Sequence, residues 1–183
     1  MSSLITKGNA SGTGSVTLES PNTNSDFTIS LPASAGTAMV SGNMPTFSAQ
    51  TSTNRTITSG VWTKMQLNTE NWDTANCYDN ATNYRFTPNV AGYYQVNINV
   101  DSGASTGAAQ AVVSIYKNGS IHRVGNNTGT SAGSAYGSSV SAIVYLNGTT
   151  DYIEAYAYIG STTTSVIANS TGTYFDGILV RAA

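Results

Sequence analysis

Charged side chains are unusually few in this sequence. Lys, Arg, Asp and Glu make up 9% of its 183 residues, against roughly 25% in ordinary soluble domains. The seven basic residues are scattered singly along the chain, and the formal net charge is −2. Since no basic patch is available to meet a phosphate backbone, we expect no binding to nucleic acid.

Cysteine and long apolar runs are equally scarce. Cys77 is the only cysteine, which excludes an intrachain disulfide and a zinc site built on a thiolate cluster. The opening residues lack the apolar run typical of a signal peptide, and no later stretch is apolar for long enough to span a membrane. We therefore expect no membrane insertion, and nothing in the sequence predicts a cofactor.

What the sequence has in abundance is the residues of β-sheets and turns. Thr, Val, Ile and Tyr are common while Lys, Glu and Leu are few, so local preference favours strands. Residues 84–100, YRFTPNVAGYYQVNINV, combine a Pro-Asn turn, a glycine at 92 and strict alternation. The even-numbered residues of 94–100 are apolar and share one face, while the odd-numbered residues of 93–99 share the other.

The chain divides into an arm, residues 1–44, and a β domain, residues 45–183. GSVTLES and DFTISLP in the arm predict a β-hairpin, which the small-residue stretch before Pro45 links to the domain. Because two strands without a partner sheet are marginal in water, we expect the arm to attach to a sister chain or an external surface.

The pattern from Pro45 onward predicts an all-β, antiparallel jelly-roll sandwich. Asn-Gly pairs at 118–119 and 147–148 predict tight turns, and segments rich in Gly, Ser and Thr predict loops at 101–110, 126–138 and 160–172. Strands are predicted near 46–50, 61–67, 83–87, 92–100, 111–117, 121–125, 138–146, 151–159 and 173–182.

Several predicted strands are apolar on both faces. Val140 and Val144 alternate with Ile143 and Tyr145, for example. If one face enters the core, the other would remain apolar and exposed to solvent. If strands 92–100, 138–146 and 173–182 share a sheet, this second face marks an interface between subunits; alternatively, tyrosine is present only because it favours strands. The predicted interface residues are Tyr93, Gln95, Ile143, Tyr145, Tyr174, Asp176 and Ile178.

Short motifs spread over residues 45–181 together resemble the globular complement-C1q/tumour-necrosis-factor-like superfamily. They are FSA at 47–49, YRFTP at 84–88, AGYY at 91–94, KNG at 117–119, LNG at 146–148, YI at 152–153 and FDGIL at 175–179. The resemblance implies a jelly roll that assembles as a compact homotrimer, in which three copies of Asp176 would face the three-fold axis. Such a cluster is costly unless the carboxylates are hydrogen-bonded, protonated or bridged by a cation.

The arm has a resemblance of its own. GSVTL at 14–18, FTISLP at 27–32 and GT at 36–37 look like a segment that recurs in structural proteins of tailed bacteriophages. This implies an arm that binds a major capsid or tail protein, so we expect the chain at the virion surface after assembly in the host cytoplasm. The apolar residues of this attachment arm are Val16, Leu18, Phe27, Ile29 and Leu31.

Few side chains could support catalysis. A Ser-His-Asp triad would have to use His122, the only histidine, and the neighbouring Ser120 belongs to a predicted hairpin turn. Asp73 and Asp79 could form a carboxylate pair and, with Asp101, hold calcium. These three residues could equally be ordinary loop aspartates without a catalytic or binding role, so we predict neither a catalytic nor a metal site.

The sequence therefore predicts a non-enzymatic protein, a trimeric capsid decoration protein or a short fibre. One alternative is a tail-fibre protein that recognises a host surface glycan, because Trp62, Trp72, the tyrosines and the Asn-rich loops could contact sugars. A bacterial surface adhesin is a second alternative, and a spike enzyme that cleaves polysaccharide is a third.

Overall fold

The structure is a computed structural model, and it divides into two compact units, Met1–Gly36 and Thr37–Ala183. It describes residues 8, 10–17, 19, 21–26, 28–30, 33, 35–36, 38–102, 109–130, 136–161, 165–167 and 171–183.

Strands in the second unit form wherever apolar and polar residues alternate, which is the pattern of a sheet with one face in the core. A single 3₁₀ turn, Ser41–Asn43, precedes them in the described residues. The strands are β1 (Thr46–Gln50), β2 (Arg55–Ile57), β3 (Thr63–Lys64), β4 (Thr69–Asp73), β5 (Tyr78–Asp79), β6 (Arg85–Phe86), β7 (Gly92–Ser102), β8 (Ala109–Lys117), β9 (Ser120–Val124), β10 (Thr128–Thr130), β11 (Tyr136–Leu146), β12 (Ile153–Ser161), β13 (Ser165–Ile167) and β14 (Tyr174–Ala182).

These strands form two antiparallel sheets that pack face to face. Sheet 1 has the order β2-β13-β7-β14-β1-β4, with β11 also paired to β7. Sheet 2 has the order β10-β8-β12-β6-β5, with β3 paired to β12 and β9 to β8. The predicted all-β jelly-roll sandwich is thereby confirmed. The strands at 92–100, 138–146 and 173–182 do share one sheet, which was the condition for the predicted interface.

Strand β7 fixes the register of sheet 1. It pairs with β11 from Gly92↔Leu146 to Ser102↔Tyr136 and, on its other edge, with β14 from Gly92↔Ala182 to Asn99↔Tyr174. A bulge between Leu179 and Arg181 shifts the register at the end of β14. Side chains on β7 alternate between buried and at least partly exposed along its whole length, as the sequence pattern predicted.

The core between the sheets is centred on Phe47 of β1. Its ring stacks on Phe86 at 4.3 Å and on Tyr78 at 5.1 Å between centroids, and meets Phe175 edge-on at 4.8 Å. Phe47 and Phe175 belong to sheet 1, whereas Tyr78 and Phe86 belong to sheet 2. This aromatic cluster therefore joins the two sheets, and aromatic pairs add roughly 0.5–1.5 kcal/mol each beyond their buried area.

Gly177 makes room for that cluster. It pairs directly with Phe47 across β14 and β1, and a Cβ atom at this position would lie 2.6 Å from Phe47 Cε1. The FDGIL motif thus has a physical basis: Phe175 and Leu179 enter the core, and the glycine between them leaves space for the Phe47 ring.

The two predicted Asn-Gly turns lie next to each other at one end of the sandwich. Asn118 and Gly119 both have positive φ, 52° and 77°, as a two-residue hairpin turn requires. Asn118 Nδ2 donates to Asp151 Oδ1 at 2.8 Å, and Lys117 Nζ forms an ion pair with Asp151 Oδ2 at 2.9 Å. These contacts join the β8–β9 hairpin to the segment that leads into β12.

The structure corrects the strand prediction at several points. The 61–67 prediction shrinks to the two residues of β3, and β2, β4, β5, β10 and β13 were not predicted. Segments 126–138 and 160–172, predicted as loops, contain β10 and β13, and the long strands extend into all three predicted loops. Strands of two to five residues offer too few positions for alternation to be recognised.

The hairpin predicted in the arm is absent from its described residues. No strand is assigned there, and Val16 and Ile29 are 95% and 88% exposed. Without a third strand or a core to bury their apolar side chains, two short segments gain too little to pair. Leu18, Phe27 and Leu31 lie outside the described residues. Residues 38–44 belong to the second unit, where Met39 packs against the core.

No helix among the described residues has the length and apolar character needed to cross a membrane.

We predict that Gly177→Ala destabilises the sandwich. The added methyl group would overlap the fully buried Phe47 ring, and overpacking of this kind costs about 1–3 kcal/mol. Chemical denaturation should show a lower free energy of unfolding. Gly42→Ala is the control, because a Cβ at Gly42 meets nothing within 4 Å; equal stability of the two variants would contradict the packing role of Gly177.

Candidate functional site

The residues predicted to form an interface all lie on the side of sheet 1 that faces away from the core, here called the outer face of sheet 1. Tyr93 and Gln95 are on β7, Ile143 and Tyr145 are on β11, and the remaining three, Tyr174, Asp176 and Ile178, are on β14. Because the three strands are paired in register, the structure brings all seven side chains together on one surface.

One end of the outer face of sheet 1 is apolar. Tyr93 pairs with Tyr145, and their rings lie 5.4 Å apart. In the next row Gln95 has Ile143 on one side and Ile178 on the other. Exposure is 43% for each tyrosine, 57% for Ile143 and 44% for Ile178. Four large apolar side chains are therefore contiguous and open to solvent, a pattern that marks interaction surfaces.

Tyr145 is held in place by a neighbouring cation. Lys117 Nζ donates to the Tyr145 carbonyl oxygen at 2.8 Å and lies 5.7 Å from the centroid of the Tyr145 ring. The same ammonium group pairs with Asp151, whose pKa is lowered by the hydrogen bonds from Asn118 and Lys117. The Tyr145 ring therefore contacts both the Tyr93 ring and the Lys117 ammonium group in the single chain.

The middle of the outer face of sheet 1 is polar and internally hydrogen-bonded. Gln95 Nε2 donates to Ser141 Oγ at 2.7 Å, and Ser141 Oγ donates to Asn97 Oδ1 at 2.8 Å. Two strands away, Asn71 Nδ2 donates to Ser48 Oγ at 3.0 Å. These amides and hydroxyls are uncharged, so covering them costs less than covering ions.

Asp176 lies between these two polar groups, opposite Asn97 on one side and Ser48 on the other. Partial burial raises the pKa of its carboxyl above the usual range, and the hydrogen bond from Ser48 opposes that shift only in part. Its Oδ1 atom is buried without a hydrogen-bond partner among the described residues. Asp176 is therefore the least satisfied polar group of the outer face of sheet 1.

The carboxylates considered for catalysis or calcium hold the backbone of turns. Asp73 Oδ2 accepts from the Tyr78 N–H at 2.7 Å. Asp79 accepts from three successive N–H groups of 81–83 and from the Asn83 side chain, which lowers its pKa to about 2. In the part of the chain that the structure describes, no three His, Cys, Asp or Glu side chains are grouped as metal ligands would be.

His122 lies on β9, beside cations rather than a carboxylate. Desolvation and the positive charges of Arg123 and Lys117 lower its pKa, which favours the neutral imidazole. Among the described residues, no carboxylate contributes to that shift as the acidic partner of a catalytic histidine would.

A second aromatic surface, on the side of sheet 2 away from the core, was not predicted as a unit. Tyr116 and Tyr156 stack at 3.8 Å, and Trp62 lies 5.6 Å from Tyr158 and 6.3 Å from Tyr116. The alternation of Tyr156 and Tyr158 along β12 was a usable signal. The position of Trp62 could not be predicted from the sequence, because it depends on the pairing of β3 with β12.

An ion pair that the sequence did not predict lies next to these rings, since Lys64 is paired with Tyr156 and Glu154 with Tyr116. Lys64 Nζ contacts the buried Glu154 Oε1 at 2.5 Å and donates to the Asn83 carbonyl oxygen at 3.3 Å. Removing either partner would leave a poorly solvated charge, so this pair maintains the local fold.

Comparison with known proteins shows the fold. No family model matches the sequence, and no curated protein matches it. The globular domain of zebrafish complement 1qA protein matches with a TM-score of 0.56 at 16% identity, over 76% of this chain and 98% of that one. Eiger TNF from S. frugiperda gives 0.53 at 10% identity, over 76% and 93%. Murine APRIL gives 0.53 at 13% identity, over 75% and 99%. The chain has the C1q/TNF-like jelly-roll fold that its motifs predicted.

We predict opposite effects on stability for two Asp→Asn variants. Asp176 has a raised pKa in the folded state, so its ionisation destabilises that state at neutral pH. Asp176→Asn should raise the melting temperature at pH 7, and this gain should vanish as the pH falls below the ordinary Asp pKa near 4.

Asp79→Asn is the matched comparison. Its folded-state pKa is lowered, so its carboxylate stabilises the fold above pH 4, and that contribution is lost as the pH falls towards 2. The variant should melt about 2–4 °C lower at pH 7, the shift for roughly 1 kcal/mol once solvent screening is allowed for. Thermal melts of both variants from pH 2 to pH 8 test these predictions. Melting temperatures that change in the same direction at pH 7 would contradict the opposite pKa shifts of Asp176 and Asp79.

Proposed function

We propose that this chain is a non-enzymatic, homotrimeric surface protein of a bacteriophage virion, and that its subunits associate through the outer face of sheet 1. The observation that carries the trimer is the contiguous apolar end of that face, formed by Tyr93, Tyr145, Ile143 and Ile178 and open to solvent in the single chain. Burial of this surface provides the driving force for association.

The chemistry of the face suits contact between identical subunits. Tyrosine buries a large ring at low conformational cost and keeps its hydroxyl for water or a partner. The amides and hydroxyls beside it are uncharged, and the charged residues that these strands place on the same face are Asp101, Asp176 and Arg181, the last paired with Tyr93. A closed ring of three covers the same face in every copy and leaves no unpaired surface, which is how the C1q/TNF resemblance implies that the subunits meet.

The absence of turnover is part of the proposal. Asp73 and Asp79 accept hydrogen bonds from turn N–H groups, and His122 lies among cations. Catalysis requires a nucleophile, base or acid within reach of a shared substrate position, and these three side chains have structural roles instead. Binding is therefore the mechanism that the described surfaces support.

The virion role rests on the arm. Residues 14–37 resemble a segment of tailed-phage structural proteins, and the described apolar side chains Val16 and Ile29 are exposed. Exposed apolar residues in a chain unit of their own suit docking onto another protein, here a major capsid or tail protein. The knob formed by the second unit would then reinforce the particle as a decoration protein or project from it as a short fibre.

A second candidate is a fibre protein that recognises a host surface glycan. The cluster of Trp62, Tyr116, Tyr156 and Tyr158 on sheet 2 favours it, because aromatic rings together with amide groups are typical of sugar sites. Trimer formation through sheet 1 would leave this cluster accessible, so the two roles are compatible.

We predict that Ile143→Asp weakens the trimer. The substitution places three carboxylates in the apolar end of the interface, where like charges and desolvation both oppose association. Sedimentation equilibrium should give a mass near three chains for the wild type and smaller species for the variant. Ile121→Asp is the control, because Ile121 is comparably exposed, at 51%, but lies on β9 of sheet 2. A wild-type monomer, or an unchanged mass for Ile143→Asp, would refute the interface.

We predict that removal of residues 1–36 abolishes attachment without unfolding the knob. This cut follows the division between the two units and spares Met39, which packs against the core. In the phage that encodes the chain, an antibody against the knob should label particles made with the full chain and not particles made with the truncated one. Equal labelling would refute the role of the arm, and labelling of uninfected bacteria would indicate an adhesin instead.

A further inference from the structure

An open cleft of about 310 Å³ lies at the outer side of sheet 2. Three strands of sheet 2, β8, β9 and β12, and two connecting segments form it, one segment before β3 and one between β9 and β10. Its volume is at the lower end of the roughly 300–1,000 Å³ of small-molecule sites. The lining residues are Trp62, Gln110, Val112, Val124, Gly125, Asn127 and Tyr158.

The sheet register holds the cleft open. Val112 of β8 pairs with Tyr158 of β12 and forms the floor: it is 7% exposed but is not part of the core between the sheets. Trp62 precedes β3, which pairs with β12 at Ala157, so its indole lies beside the Tyr158 ring at 5.6 Å with an interplanar angle of 54°. Two aromatic rings thus form one wall, and both are partly exposed.

Trp62 also has a second aromatic neighbour. The Tyr116 ring lies 6.3 Å from Trp62, and Tyr116 itself stacks on Tyr156 at 3.8 Å. Contacts with two neighbouring rings restrict the Trp62 side chain before a ligand binds, which lowers the entropic cost of binding.

The polar groups of the cleft are neutral and open to a ligand. Among the described residues, neither a carboxylate nor a Lys or Arg lines it. Within the same part of the chain, the Trp62 indole N–H and the side-chain amides of Gln110 and Asn127 have no hydrogen-bond partner. An amide group donates and accepts at once, which matches a ligand whose hydroxyl groups also do both.

We propose that this cleft binds a neutral pyranose sugar, with the C–H face of the ring against Trp62 and Tyr158 and the hydroxyls against Gln110 and Asn127. The lack of cations among the described lining residues disfavours acidic sugars and phosphates. A proline-rich peptide also packs on aromatic rings, but it needs a groove several residues long, whereas this cleft holds one or two sugar rings. The inference deepens the glycan-recognition candidate, but it does not depend on the trimer or on the virion role.

The test uses the full chain with Trp62 as the reporter. The chain has two tryptophans, so Trp72→Phe leaves Trp62 as the only source of indole fluorescence. A printed array of neutral and acidic bacterial glycans and a proline-rich peptide selects the ligand. Titration with the strongest-binding free oligosaccharide should then shift Trp62 emission, and neutral sugars should be preferred over acidic ones.

Trp62→Ala should weaken binding of the selected sugar at least about tenfold, since loss of one stacked ring removes a main contact of the site. Because this variant lacks the fluorescent reporter, isothermal titration calorimetry measures its affinity and those of the wild type and the control. Trp72→Ala is the control: Trp72 is 51% exposed and lies on sheet 1, so affinity should be unchanged. If circular dichroism shows that Trp62→Ala does not fold, Gln110→Leu takes its place with the same expected loss.

Three results would overturn the sugar site: no array glycan bound by the wild type, full affinity in the folded Trp62→Ala or Gln110→Leu variant, or binding of the proline-rich peptide alone. None of these results bears on the mass of the assembly in solution, which tests the proposed trimer separately.

Discussion

The pairing of β7 with a strand on each edge is the constraint on which the rest of this structure depends. Side chains on a strand alternate between two faces, and pairing over the length of β7 imposes the same alternation on β11 and β14. A slip of one residue would place Tyr94, Val96 and Ile98 in solvent. The same register that builds the core therefore also decides which side chains form the outer face of sheet 1.

The two outer surfaces of the sandwich differ in chemistry. On sheet 1, apolar side chains adjoin a hydrogen-bonded band of amides and hydroxyls in which Asp176 has the least satisfied position. On sheet 2, aromatic rings lie near the ion pair of the partly exposed Lys64 with the buried Glu154 and border a neutral cleft. The proposed subunit contact and the proposed sugar site use opposite outer surfaces, so the two proposals are compatible.

Long strands could be predicted from the sequence, and contacts between segments could not. β7 and β14 each present enough alternating residues for their faces to be assigned, so the grouping of Tyr93, Ile143 and Ile178 followed once the strands were assumed to share a sheet. Two-residue strands such as β3 are too short to show periodicity. The contact of Trp62 with Tyr158 follows only from the pairing of β3 with β12. The unsatisfied oxygen of Asp176 depends likewise on how Ser48 and Asn97 flank it, a relation between three strands that are distant in sequence.

The order of strands also places the start of β1 and the end of β14 at the same end of the second unit. Gly92 and Ala182 are neighbours, the Ala183 N–H donates to the Ala91 carbonyl at 3.0 Å, and β1 starts nearby, opposite Ile178. The strand end at Ser102 is ten residues along β7 from Gly92, or roughly 33 Å at about 3.3 Å per residue. A reporter or cargo protein fused after Ala183 would consequently project from the Gly92 end of the sandwich and leave the Ser102 end unobstructed, which suits this jelly roll to use as a display scaffold.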